Sequence, residues 1–159
     1  MTDAAPSTPA DREMSFTRLL DAPRSAIWRC WSEPELLMQW FCPKPWQVTK
    51  AEMDLRPGGA NFFLMNGPNG EEMPNRGVYL DVVPNERIVF TDAFTSAWQP
   101  SQKAFFVGTV KMADDGGKTR YTATVRHWTA EDCASHKAMG FYEGWGIATD
   151  QLEALARTL

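Results

Sequence analysis

The sequence predicts an α+β fold in which one antiparallel sheet packs against a long C-terminal helix. Six segments of period-two alternation follow one another between residues 46 and 128, each bounded by turn chemistry. After them, a segment of helical periodicity carries one continuous apolar stripe towards the C-terminus. The length of 159 residues suits a single domain with one core.

Composition narrows the function classes. Hydrophobic residues make up 43% and charged residues 23%, an ordinary globular balance. Seven tryptophans and nine phenylalanines supply more large apolar surface than a minimal core needs, which favours an extended apolar interior. The formal net charge is −4 and there is no basic run, so nucleic acid is not an expected partner. No apolar run reaches membrane-spanning length.

Residues 1–12, MTDAAPSTPADR, are small, polar and proline-bearing. They are expected to form a disordered tail ahead of a single domain over 13–159. The tail lacks the apolar stretch of a signal peptide, so a cytoplasmic location is expected. Cys30, Cys42 and Cys133 are odd in number and lack CxxC spacing, which reads as three reduced thiols.

The elements follow in order. MSFTRLL (14–20) is a short strand. Asp21-Ala-Pro-Arg-Ser opens a helix with Ile27, Trp28 and Trp31 at helical spacing. Pro34 starts a second short helix, PELLMQW (34–40), at its first position, and CPKPW ends it. WQVTKAEMDL, ANFFLM, GVYLDVV, RIVFTDAF, AFFVGTVKM and TRYTATVRHW then read as strands. The turns Arg56-Pro-Gly-Gly, Asn66-Gly-Pro-Asn-Gly, Val83-Pro-Asn-Glu and Asp114-Asp-Gly-Gly join them as hairpins.

Alternation assigns several faces. Tyr121, Ala123, Val125 and His127 point in, opposite Arg120, Thr122, Thr124 and Arg126. Phe106, Gly108, Val110 and Met112 point in on the preceding strand, and Ile88, Phe90, Asp92 and Phe94 on the one before it. The faces of 46–55 and 77–83 are ambiguous. Thr129 is the N-cap of a helix expected to continue to the end, with Asp132 three residues on. Its stripe is Ala138, Phe141, Trp145, Ala148, Leu152, Ala156 and Leu159, bordered by Tyr142 and Thr149. Gly140 and Gly144 lie along the other flank with Gln151. Each interior glycine costs a helix about 1 kcal/mol. Close packing against the sheet is the first explanation, and a cavity beside the helix the second. Gly146 lies on neither flank.

The stretches DLRPGGANFFLM (54–65), NRGVYLDVVPNERIVFTDAF (75–94) and RHWTAEDCASHKAMGFYEGWGIATDQLEAL (126–155) resemble the bacterial family related to the activator of Hsp90 ATPase (Aha1-type). The resemblance covers about residues 14–157. That family belongs to the START-like superfamily (SRPBCC) with the polyketide cyclases and the Bet v 1-like allergens. It implies a helix-grip fold of order β-α-α-β6-α, with a curved sheet gripping the C-terminal helix and an apolar ligand often held between them. No cofactor is implied.

The candidate cavity residues are Trp28, Trp40, Phe41, Phe90, Phe94, Phe106, His127, Phe141, Tyr142 and Trp145. Trp31, Trp46 and Trp98 fall near the same two helices and the 94–102 loop. His127 and Asp92 are the candidate catalytic residues of a cyclase- or hydratase-like enzyme. Each also has a structural reading, His127 as a histidine satisfied by backbone and Asp92 as a strand-end cap. Two strand spacings put them about 10 Å apart at one end of the sheet, a gap a ligand could bridge. His136 has no obvious partner, and Arg76 could pair with Asp92 or with a ligand anion. Two histidines without clustered carboxylates exclude a metal site. Phe62, Leu64, Phe105 and Val107 form an apolar outer face, which predicts a homodimer. The expected partner is therefore a small apolar molecule, with a chaperone-type protein contact as the alternative.

Overall fold

The structure is a computed structural model that describes residues 9–159. Residues 9–12, expected within the tail, form a 3-10 turn, Pro9–Arg12, and the rest of that expected tail lies outside the described residues. Strand β1 (Glu13–Leu20) leads to helices α1 (Arg24–Ser32) and α2 (Pro34–Leu37), the second ending three residues earlier than expected because Met38, Gln39 and Trp40 form a turn. Five strands follow: β2 (Gln47–Met53), β3 (Ala60–Asn66), β4 (Glu72–Val83), β5 (Arg87–Thr91) and the short β6 (Phe94–Ser96). Then come β7 (Gln99–Pro100), β8 (Phe106–Asp115), β9 (Lys118–His127), α3 (Ala130–Ala138) and α4 (Phe141–Ala156).

Seven strands form one antiparallel sheet in the order β1-β9-β8-β5-β4-β3-β2, so the first strand closes the sheet beside the last. The strands β6 and β7 make a separate hairpin. Alternation is clean where pairing is regular. On β9, Tyr121, Ala123, Val125 and His127 are buried while Arg120 and Arg126 are exposed. The ambiguous faces have a physical cause: register shifts between Val48 and Lys50 on β2 and between Tyr79 and Asp81 on β4. A bulge adds one residue to a strand and reverses its alternation.

Strand β4 begins five residues earlier than its alternation suggested and contains Pro74. Residues 72–77 pair with β3, while β5 joins only from Val78 onward. Pro74 therefore sits where no second ladder needs an N–H. Strand β5 ends at Thr91, three residues earlier than expected. The alternation does not reach Phe94, which instead packs edge-on against Trp98 in the β6–β7 hairpin at 5.6 Å.

The C-terminal segment is two helices rather than one. The Thr129 hydroxyl accepts from the Asp132 N–H at 3.0 Å, so the N-cap forms as expected. Gly140 then adopts φ +93°, a left-handed conformation that a side chain disfavours. It ends α3, and its carbonyl accepts the Gly144 N–H at 2.8 Å to start α4. This accounts for the first of the three glycines.

Two apolar clusters form the core. The larger joins α1, α2 and α4 to the sheet through Ile27, Trp31, Leu37, Trp40, Ile88, Val110, Tyr121 and Leu152. The smaller, Met14, Val125, Cys133 and Phe141, ties α3 and the start of α4 to β1 and β9. Among the described residues no helix is long and apolar enough to cross a membrane.

Candidate functional site

A cleft of about 990 Å³ lies between the inner face of the sheet and α4, drawing its walls from both core clusters. The sheet contributes Phe63, Phe90, Thr91, Phe106 and Val125. Helix α4 contributes Phe141, Gly144, Trp145 and Ala148, and the turn after α2 contributes Phe41, Cys42 and Pro43. The lining residues Met73, Pro74, Gln102, Lys103 and Met139 are exposed, so the cleft meets solvent along the edge they form.

Local structure sets this wall. Gly108 on β8 stands opposite Phe90 on β5. A Cβ at Gly108 would lie 2.7 Å from the Phe90 ring. The glycine thus lets that ring lie flat against the sheet and keeps the space above it open. Phe106 meets Phe90 edge-on at 5.8 Å. Across the cleft, Trp145 stands perpendicular to Phe41 at 5.9 Å and stacks with Trp31 at 6.4 Å. Gln151 on α4 fixes the turn after α2. Its Nε2 donates to the carbonyls of Trp40 (3.0 Å) and Cys42 (2.9 Å), and its Oε1 accepts from the Lys44 N–H (3.1 Å).

Gly144 corrects the close-packing reading. A Cβ there would meet only Pro43 Cγ, at 4.0 Å, so the residue borders the cleft rather than the sheet backbone. A Cβ on Gly146 would meet nothing within 4 Å; its carbonyl accepts from Arg18 Nη1 at 3.2 Å, which explains no need for glycine.

The two candidate catalytic residues are joined by protein. Asp92 Oδ1 accepts from the N–H groups of Phe105 (2.9 Å) and Phe106 (3.1 Å). His127 Nδ1 donates to the Phe105 carbonyl at 2.8 Å. The Phe106 N–H and the Phe105 C=O belong to one peptide group, so the gap expected for a ligand is filled by this peptide. Asp92 caps the chain before β8, and His127 is satisfied by backbone.

His127 is 4% exposed and does not reach the cleft. His136 does, and it has a partner that its place in the sequence did not reveal. Its Nδ1 lies 3.0 Å from His127 Nε2 because α3 folds back over the end of β9. Phe105, expected on the outer face, covers the pair instead, 4.6 Å from the His127 ring and 5.3 Å from His136. Burial, followed by the neighbouring His127, pulls the His136 pKa down to about 4.

The remaining candidates divide. Phe41, Phe90, Phe106, Phe141 and Trp145 stand in the cleft wall. Trp40 is fully buried in the core, with Nε1 donating to the Cys30 carbonyl at 2.9 Å. Trp28 packs against the same core from its edge, and Tyr142 is 42% exposed. Arg76 also reaches the cleft, but its guanidinium lies 4.4 Å over the Phe62 ring rather than against Asp92. Lys50 approaches the same ring at 5.8 Å. Cationic side chains thus cover part of the apolar outer face that motivated the homodimer.

Two further polar groups were not singled out from the sequence. Asn61 is 8% exposed, lines the cleft, and makes no side-chain hydrogen bond among the described residues. The buried Ser101 hydroxyl also lines it without a protein partner. All three cysteines are buried and free. Burial raises the Cys30 and Cys42 pKa values to about 11, which keeps these thiols protonated and poorly nucleophilic.

Residues 21–157 match the family described as Activator of Hsp90 ATPase homolog 1-like protein. A crystal structure of a Nitrosomonas europaea protein is 36% identical with a TM-score of 0.91, covering 94% of this chain and 96% of that one. A Chromobacterium violaceum protein is 27% identical with a TM-score of 0.72, over 91% and 96%. The solution structure of an AHSA1-like protein from Aeromonas hydrophila, at 19% identity and a TM-score of 0.71 over 92% of each chain, shares the fold. No curated protein matches this chain.

Proposed function

This chain belongs to the Activator of Hsp90 ATPase homolog 1-like family, and from that premise we propose that it binds a small, mostly apolar molecule between the sheet and α4. The observation that carries this reading is the cleft of about 990 Å³, walled by Phe41, Phe63, Phe90, Phe106, Phe141 and Trp145. It is of the size that encloses most of a small organic ligand, with a few polar groups among aromatic ones.

Binding is favoured over catalysis by the state of Asp92. A cyclase- or hydratase-like site needs a carboxylate or imidazole free to move a proton at the substrate. Asp92 lines the cleft, but its Oδ1 accepts from two backbone N–H groups. His127 lies outside the cleft, and the imidazole that does stand in the wall, His136, is a weak base with its pKa pulled down to about 4. A protein-binding module does not require an open interior, so the cleft favours the small-molecule reading over a purely chaperone-activating one.

Gly144→Leu tests the reading. The leucine projects into the cleft beside Pro43, while helix propensity improves by roughly 1 kcal/mol. The variant is expected to melt at or above the wild-type temperature and to lose at least tenfold in affinity for an apolar fluorescent probe. A destabilised variant with unchanged probe affinity would contradict the site.

A further inference from the structure

With both rings neutral, the hydrogen bonds around the histidine pair fix where each proton sits. The Phe105 carbonyl can only accept, so His127 carries its proton on Nδ1. A neutral His127 ring so protonated offers a lone pair at Nε2, and His136 donates to it from Nδ1. Neutral His136 is left with a lone pair on Nε2, to which the described residues offer no partner. His136 stands in the cleft wall among Phe105 and Phe141, with ring centroids at 5.3 and 5.1 Å. At the far end of the relay, Asp92 binds the N–H of the same peptide whose carbonyl holds His127, which orients and polarises that peptide.

We infer that His136 is the polar anchor of the cleft: its Nε2 accepts a hydrogen bond from the bound molecule, so the ligand is an apolar body bearing a neutral O–H or N–H donor, such as a phenol. His127 and Asp92 are positioning residues that hold the imidazole in the accepting tautomer. A carboxylate ligand would set its oxygens against the Nε2 lone pair unless His136 took up a proton. The lowered basicity of His136 opposes that uptake at neutral pH. The cations at the cleft do not reverse this preference, because Lys103 and Arg76 are exposed and Arg76 is stacked on Phe62.

This inference rests on the ligand-binding reading, and the test separates the two. Naphthalene, 2-naphthol and 2-naphthoate share one apolar body and can each be titrated into the full chain at pH 7. Wild type is expected to bind 2-naphthol about five- to tenfold more tightly than naphthalene, the worth of one hydrogen bond to an acceptor in the cleft wall, and more tightly than 2-naphthoate. In His136→Phe the preference for naphthol over naphthalene is expected to vanish while naphthalene still binds. Equal affinity of wild type for naphthol and naphthalene overturns this inference alone, as does tightest binding of naphthoate unaffected by His136→Phe. Failure of all three probes to bind overturns the ligand-binding reading and this one together. Long-range 1H–15N correlation spectra of the wild type give an answer that needs no variant: both histidines are expected to be protonated on Nδ1, and a proton on His136 Nε2 contradicts the inference.

Discussion

Trp40→Ala is expected to destabilise the fold by about 3–5 kcal/mol, the usual cost of deleting a large buried ring. Trp40 is 0% exposed and sits at the junction of α1, α2 and α4. Its ring meets Trp31 at 5.0 Å and Phe41 at 5.5 Å, both edge-on. Alanine removes those contacts and leaves the Cys30 carbonyl without its indole donor. Domains of this size are typically stable by about 5–15 kcal/mol, so the variant would keep only part of its margin. Trp40→Phe should lose less, because it keeps a ring and gives up chiefly the N–H bond, worth about 1 kcal/mol. Urea denaturation of the two variants checks the order. A loss below about 1 kcal/mol for Trp40→Ala would mean that the α2 corner is not part of the cooperative core.

Acid should destabilise the protein through His136. Its folded-state pKa lies near 4, below the ordinary 6.5. The unfolded chain therefore binds a proton that the folded chain refuses between those values. Stability attached to this group is present above pH 6.5 and is lost as pH falls towards 4. From pH 7 to 4.5 the loss is about 2 kcal/mol, after allowance for solvent screening at the cleft. Wild type and His136→Phe can be compared by urea midpoint at both pH values. The variant should lose less stability on acidification by about that amount. Parallel losses in the two proteins would show that His136 is not the group responsible.

Much of the fold was legible in the sequence because the turn residues punctuate it and the strands alternate between them. Where legibility failed, a local irregularity intervened. The bulges at Val48–Lys50 and Tyr79–Asp81 scrambled two faces, and Gly140 split a helix whose apolar stripe reads straight across the break. Within the site, periodicity placed Phe90, Phe106, Phe141 and Trp145 on inward faces, and these residues stand in the cleft wall. It could not separate Trp40 from Phe41. Both lie in the turn after α2, where no period applies, yet one is core and the other borders the cleft. His136 was invisible for another reason. Its contact with His127 depends on the angle at which α3 returns over β9, and only the N-cap at Thr129 hinted at that reversal. Whether Asp92 caps a loop or serves a ligand depends on where the backbone of residues 104–106 runs, which its own strand does not encode.

The central claim, that the space between sheet and α4 holds a small molecule, is tested most directly by native mass spectrometry of the protein purified under gentle conditions. The expected spectrum contains the chain with one added small organic mass, released on denaturation and soluble in organic solvent. The Gly144→Leu protein, prepared in parallel, should carry much less of it. If both proteins fly only as the bare chain, and neither takes up any member of a panel of apolar compounds before injection, the cleft is not a ligand site.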